Sequence, residues 1–262
     1  MFALLPSLAA AAVLVGEARK PEAGPETAAG DDQLVVVELF LSQACMKCPP
    51  AAAHLKELAA RRDILPLSWH VDYWDALSSR KNGRWTDPYA QSAFSARQRA
   101  YNLNLTGRAK VFTPQAVVDG AQSVVGSRRT SLEKRIAMAA ERPAGEQFVR
   151  IDKEMISADA GVQPHDVLLV TFLPDVKTHV TAGANKDHVF HEENVVTGVR
   201  VLAAGVVGPV RAPSDAMHGL GDGEDCAVLL QAIDTGAIAA ATRCADIAGD
   251  DYSASLSSSG TP

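Results

Sequence analysis

Apolar and polar positions change pattern midway along the chain. Leu34-Val35-Val36-Val37-Glu38-Leu39-Phe40 is a β-branched run that predicts a strand. The stretch Ala51 to Arg62 is helix-prone, and Ile64 to Val71 predicts a second strand. Asp72 to Asp87 is polar and aromatic, with a Lys81-Asn82-Gly83 turn signal, and reads as a loop. Tyr89 to Leu105 has helical spacing, with Phe94, Gln98 and Tyr101 on one face. Gln115 to Val118 predicts a strand, Asp119-Gly120 a turn and Ala121 to Val125 the returning strand. A closing helix over Thr130 to Glu141 carries the capping-box pattern Thr130-Ser131-Leu132-Glu133.

The order β-α-β-α-β-β-α is that of a thioredoxin-like α/β domain, a sheet with helices on both faces, expected over residues 33–142. Past Arg142-Pro143-Ala144-Gly145 the strand-like segments are short: Phe148 to Ile156, Asp166 to Leu173, Lys177 to Thr181, Asn194 to Ala203 and a hairpin over 226–244. They predict a smaller, mostly-β, sandwich-like domain over 143–248. The Ser- and Gly-rich tail, 249–262, reads as disordered.

Composition narrows the function classes. The 262 residues are 47% hydrophobic and 21% charged, with a formal net charge of -6 and no long Lys/Arg run. Nucleic acid is therefore not the expected partner. Phe2 to Val15 is an apolar stretch ahead of Glu17-Ala18-Arg19-Lys20, and Pro21 to Asp32 reads as a flexible linker. Residues 1–32 thus resemble an export signal or membrane tether plus linker, although no basic residue precedes the apolar core and Pro6 interrupts it; a disordered apolar arm is the alternative. Export implies a periplasmic or secreted location and permits stable disulfides.

Four cysteines are present. Cys45-Met46-Lys47-Cys48 lies between the first strand and the first helix, where unpaired N–H groups and the helix dipole stabilise a thiolate. Cys45, nearer the N-terminus, is the candidate nucleophile and Cys48 the resolving thiol. Thr113-Pro114, just before a strand and hairpin, is the candidate cis-proline that holds substrate backbone near the sulfurs. His70 or Asp72 in Trp69-His70-Val71-Asp72-Tyr73-Trp74-Asp75 is a candidate proton relay for Cys48. The alternative is that these aromatics pack and the polar groups only hydrogen-bond the loop. Cys226 and Cys244 form the expected structural disulfide, with two buried free thiols as the alternative: with Asp234-Thr235-Gly236 as a three-residue hairpin loop and Ile233 opposite Ala237, the register sets the two cysteines opposite each other.

No cofactor or specific metal site is expected. One Cys-x-x-Cys suits Cu(I) or half a zinc site, Cys226 and Cys244 do not complete a second, and His188-Val189-Phe190-His191 beside Glu192-Glu193 reads as a solvated loop.

Four blocks in order resemble one known family: Glu38 to Ala51, Trp69 to Asp75, Ala96 to Tyr101 and Thr113 to Gly120. It is the group catalogued as domain of unknown function 1223, secreted proteins with a thioredoxin-like fold. His191 to Val196 and Val228 to Gln231 resemble its C-terminal part. The resemblance implies a redox pair at Cys45 and Cys48 and carries no substrate. Ala44, Met46 and Lys47 depart from the family's usual Gly and small polar residues, and the intervening dipeptide tunes redox direction. The expected function is a thiol–disulfide oxidoreductase acting on protein thiols or disulfides outside the cytoplasm. The alternative is a non-catalytic binding module, or a Cu(I) or other metal protein, in which the pair is structural.

Overall fold

A run such as Val35-Val36-Val37 forms a strand because its branched side chains pack well on a pleated surface, and here both faces of that strand are covered. The computed structural model describes residues 34–77, 82–143, 145–217 and 219–246. The strands are β1 (Val35–Leu41), β2 (Ile64–His70), β3 (Gln115–Val118), β4 (Gln122–Val125), β5 (Phe148–Ile151), β6 (Met155–Asp159), β7 (His165–His179), β8 (Val189–Val206), β9 (Pro209–Pro213), β10 (Asp225–Ala232) and β11 (Ile238–Arg243). The helices are α1 (Pro49–Ala59), α2 (Ser92–Thr106) and α3 (Arg129–Ala140). The signal-like segment, its linker and the Ser-rich tail lie outside the described residues.

The result is a mixed α/β fold. One eight-stranded sheet has the order β11-β10-β7-β8-β2-β1-β3-β4, and β5-β6-β9 make a second, three-stranded sheet. Strand β1 pairs parallel with β2 and antiparallel with β3. Val35, Val37, Leu39 and Leu41 pack with Leu55 and Leu58 of α1 and Leu132 and Ile136 of α3. Val36 and Phe40 face the other way, with Trp69, Phe94 and Tyr101, and that cluster runs on to Leu168, Val170 and Leu229. The small sheet covers a third cluster around Val167, Leu169, Val228 and the Cys226–Cys244 bridge.

The boundary expected after Arg142 is therefore not a break between separate bodies. Strands from both sides of it share one sheet, and the described residues fall in one compact unit. The seam is thin in backbone terms: β2 and β8 pair at Ser68 and Val195. Side chains reinforce it. Ser68 Oγ donates to the Glu193 carbonyl at 2.9 Å, and Asn194 Nδ2 to the Pro66 carbonyl at 2.8 Å. Two turns meet across the seam as well. Ile238 N donates to Asp119 O at 2.9 Å, and any Cβ at Gly120, whose φ is +64°, would strike the Gly236 carbonyl.

Several local expectations differ from the structure. The capping box at Thr130 does not form, because α3 starts one residue earlier with Arg128 as its N-cap; the Glu133 carboxylate instead meets His54 Nε2 at 3.0 Å and Arg61 at 3.2 Å. The strand expected over Phe148 to Ile156 is a hairpin, turned at Asp152, whose carboxylate accepts the N–H groups of Glu154 and Met155. Asp166 to Leu173 and the segment from Lys177 merge into β7, which ends at His179, two residues short of Thr181. Pro174 lies inside β7 just past the level where β10 ends opposite Phe172, and it has no registered partner on β8 between the Leu173–Val195 and Asp175–Glu193 pairs. His188 to His191 is not a solvated loop but the entry to β8, with Phe190 buried.

The Cys226–Cys244 disulfide is present, with Cα atoms 5.2 Å apart. Its register was right at the bridge and wrong at the turn. The hairpin closes between Ala232 and Ala237, and a bulge between Leu230 and Gln231 on one strand and Ala240 and Ile238 on the other restores the alignment.

Glu38 is a charge on a strand that is otherwise apolar. Its carboxylate accepts from Arg97 Nε at 2.7 Å and from the Tyr101 hydroxyl, while Arg97 also reaches Gln231 Oε1 at 2.9 Å. The guanidinium lies 4.9 Å from the Trp69 ring centroid. One buried ion pair thus ties β1, α2 and β10 together. Removing its cation strands the carboxylate, so Arg97→Ala should cost about 3–5 kcal/mol in urea unfolding. Arg129→Ala, which breaks an exposed pair with Glu57, should move the urea midpoint little.

Candidate active site

The loop between β1 and α1 is built by consecutive tight turns. Cys45 N donates to Ser42 O at 3.0 Å, Cys48 N to Cys45 O at 3.0 Å, and the N–H groups of Ala51 and Ala52 to Cys48 O. Cys48 is the residue that starts α1, and Pro49-Pro50 suits the first turn, where N–H groups have no helical partner. Met46 and Lys47 point outward, while both sulfurs face inward: Cys45 is 1% exposed and Cys48 fully buried. Both are free thiols in this structure.

The two thiols have different environments. Cys45 is drawn down to about 7, first by the hydrogen bond from Cys48 and, against the effect of burial, by the Thr113 hydroxyl and the N–H groups of Lys47 and Cys48. Burial pushes Cys48 strongly upward, and the negative charge on Cys45 adds to this. At neutral pH about half of Cys45 is thiolate while Cys48 keeps its proton. Thr113 touches both sulfurs, and the Thr113–Pro114 bond is cis. Trp74 Nε1 donates to Thr113 Oγ1 at 2.8 Å, fixing that hydroxyl.

Beneath the loop lies a buried polar cluster. His70 Nδ1 is 2.8 Å from Asp87 Oδ2, and His70 Nε2 is 3.4 Å from Glu192 Oε1. All three side chains are buried. Burial pulls the imidazole down, but the Glu192 and Asp87 charges outweigh it and hold His70 at about 9. Asp87 sits below its ordinary value because, against burial, His70 and the N–H groups of Gln43 and Tyr89 stabilise its charge. Burial raises Glu192 against the pull of His70. The cluster grips the cysteine loop through Gln43. Its N–H donates to Asp87 at 2.7 Å and its side-chain amide to Glu192 at 2.8 Å. Asn185 Nδ2 completes the grip, donating to the carbonyls of Gln43 at 2.8 Å and Cys45 at 2.9 Å.

Thus Cys45, Cys48, Thr113 and Pro114 come together. His70 and Asp72 are not among the groups that bond the sulfurs. His70 is engaged by its carboxylates, and Asp72 accepts from Ser95 Oγ at 2.5 Å on α2. Five residues of the site were not singled out from sequence: Gln43, Tyr73, Trp74, Asp87 and Asn185. Tyr73 is raised to about 12, chiefly by burial and further by negative charge at the cysteine pair, and its hydroxyl donates to Gln98 at 3.1 Å. Asp175, His191 and Glu193 bring three ligand-type groups within 4.8 Å. Lys56 Nζ already lies 2.7 Å from His191 Nε2 and 3.0 Å from Glu193, so a cation fills that cluster.

A mixed α/β fold carrying a buried, asymmetric dithiol at a helix N-terminus defines the class. A family model described as protein of unknown function (DUF1223) matches residues 36–231, and the chain belongs to that family. A crystal structure of an Agrobacterium tumefaciens protein from a structural genomics consortium is similar at 30% identity, with TM-score 0.64, covering 80% of this chain and 92% of that one. HBP35 of Porphyromonas gingivalis shares the fold at 10% identity and TM-score 0.51, over 80% of this chain and 74% of that one. No curated protein matches the chain.

The His70 cluster has a definite pH signature. A group raised by folding stabilises fully below its unfolded value, near 6.5, and loses that contribution as pH climbs through about 9. Cys45, lowered by folding, opposes this over the same range, so the measurement belongs on oxidised protein, where Cys45 does not titrate. There, urea stability should fall by roughly 3 kcal/mol between pH 6 and 10. His70→Gln should be less stable at pH 6 and show a flatter profile.

Proposed function

We propose that this protein is a thioredoxin-like thiol–disulfide oxidoreductase working outside the cytoplasm on protein thiols or disulfides. The observation that carries the reading is the asymmetry of the dithiol: an acidified Cys45 and a protonated, deeply buried Cys48, one turn apart at the start of α1. The strand order β2-β1-β3-β4, with β1 parallel to β2 and antiparallel to β3, supports the fold part. So does a cis Thr113–Pro114 bond against the pair. The Cys226–Cys244 disulfide suits an oxidising compartment, as a periplasmic or secreted protein would meet.

In the reductive direction, Cys45 thiolate attacks one sulfur of a partner disulfide. The partner's S–S bond breaks, a mixed disulfide forms, and the departing partner thiolate takes a proton. Cys48 then loses its proton and attacks Cys45 Sγ, which closes the Cys45–Cys48 disulfide and releases the second partner thiol. Two electrons pass to the partner, and the reverse sequence oxidises a partner dithiol. His70 and Asp72 are engaged elsewhere, so the proton of Cys48 leaves by another route, and the Thr113 hydroxyl is the side-chain oxygen that bonds it.

One observation favours a second reading, a non-catalytic thioredoxin-like module. Cys45 is 1% exposed, and a nucleophile must be reachable. Purified Cys48→Ser and Cys45→Ser variants separate the two. Oxidoreductase function predicts that Cys48→Ser accumulates mixed disulfides with partner proteins on non-reducing gels and that Cys45→Ser does not. If neither traps a partner, and the wild-type pair resists a dithiol reductant, the module reading stands instead.

A further inference from the structure

Asn185 is far from the cysteines in sequence and carries no recognisable motif, yet its buried side chain bonds the backbone of the cysteine loop directly. We propose that Asn185 is the positioning residue for the nucleophile: by holding the Gln43 and Cys45 carbonyls it keeps the loop's N–H groups aimed at Cys45 Sγ. The inference rests on Cys45 being the reactive thiol of the proposed oxidoreductase.

The geometry is specific. The amide nitrogen uses both of its protons, one on Gln43 O at 2.8 Å and one on Cys45 O at 2.9 Å. The Cys45 carbonyl also accepts from Cys48 N, so Asn185 braces the turn that spaces the two sulfurs. Peptide units are planar, so fixing the Cys45 carbonyl also fixes the plane of the peptide bond that follows it. The next two N–H groups, of Lys47 and Cys48, are those that bond the Cys45 sulfur. With the carbonyl free to turn, those donors lose alignment and the thiolate loses stabilisation. Holding the carbonyl oxygens against an N–H donor also keeps their negative ends engaged away from the sulfur.

Asn185 is itself held in place. It lies in the connection between β7 and β8, which is folded back on itself by bonds from Asp187 N to Val180 O at 2.8 Å and from His188 N to Asn185 O at 3.0 Å. Gly183 N donates to Asn82 O at 3.0 Å, and Gly183, at φ +77°, lies so near Trp85 that an added Cβ would sit 3.0 Å from the Trp85 Cβ. The strand layer beyond residue 142 therefore contributes a wall of the dithiol site.

The test is the pH profile of Cys45 alkylation by iodoacetamide in reduced full-length protein, for wild type, Asn185→Ala and the smaller change Asn185→Ser. Near-ultraviolet circular dichroism checks that each is folded. Thr113→Val, which removes a direct donor to the sulfur, sets the scale. We expect the midpoint to move upward from about 7 and the rate at pH 7 to fall roughly three- to tenfold, with the plateau rate at high pH retained. A residue that only stabilised the fold would leave the midpoint in place, and an unmoved midpoint in either folded variant overturns the proposal. The outcome is separable from that of partner trapping. A shifted profile without trapping retains Asn185 and discards the oxidoreductase, whereas trapping with an unshifted profile does the reverse.

Discussion

The arrangement depends most on a buried imidazole held between two carboxylates. Ionised groups are costly to remove from water, and Asp87 and Glu192, which repel each other, coexist in the interior because the His70 imidazolium between them offsets both. Their spacing does more than balance charge. His70 ends β2, Glu192 lies in β8, and Asp87 comes from the connection that leads to α2. Through Gln43 the same groups hold the cysteine loop, whose own backbone would otherwise end β1 with unpaired donors. One polar cluster thus sets where β8 meets β2 and where the dithiol sits.

Both thiols are almost completely buried, and burial alone would raise both. They diverge because donors are distributed unequally. Cys45 collects the Cys48 thiol, the Thr113 hydroxyl and two backbone N–H groups. Cys48 lies deeper, and the charge on its neighbour opposes its ionisation. Helix-terminal N–H groups offset desolvation only for the sulfur they point at. Thr113 sits at the centre of this, bonded to the sulfurs on one side and to Trp74 on the other.

What was legible in the sequence follows the range of the interactions. Local signals worked: the Val35 to Phe40 strand, the helix at Ala51, the Asp119-Gly120 turn and the dithiol at a strand–helix junction all depend on near neighbours. The disulfide was legible because hairpin register is local, though the bulge near Leu230 shows that the turn itself was misplaced. The merging of short strands into β7 and β8 was not legible, since nothing near Pro174 reveals that β10 stops at that level. Asn185 and Asp87 were invisible for the same reason. An isolated Asn or Asp in a polar stretch looks the same whether it faces solvent or a carbonyl brought from 140 residues away. Gln43, Tyr73 and Trp74 did lie inside blocks shared with the family, but the resemblance assigned none of them a role, and only the geometry does.

The seam between the two halves explains why the later strands cannot be treated as an independent attachment. A sheet normally holds together through a ladder of backbone bonds, but β2 and β8 are registered at one pair only. Beside the Ser68 and Asn194 hydrogen bonds, three charged contacts add to it: the His70 cluster, the Arg97–Glu38 pair that reaches Gln231, and the Lys56–Glu193 ion pair from α1 to β8. Two of the three are buried charge networks whose members come from both halves. Separating the halves would expose the apolar cluster that runs from Phe40 to Leu229 and leave charged groups without their partners. A compact unit joined this way folds as one body, and the dithiol loop takes its geometry from residues on both sides of the seam.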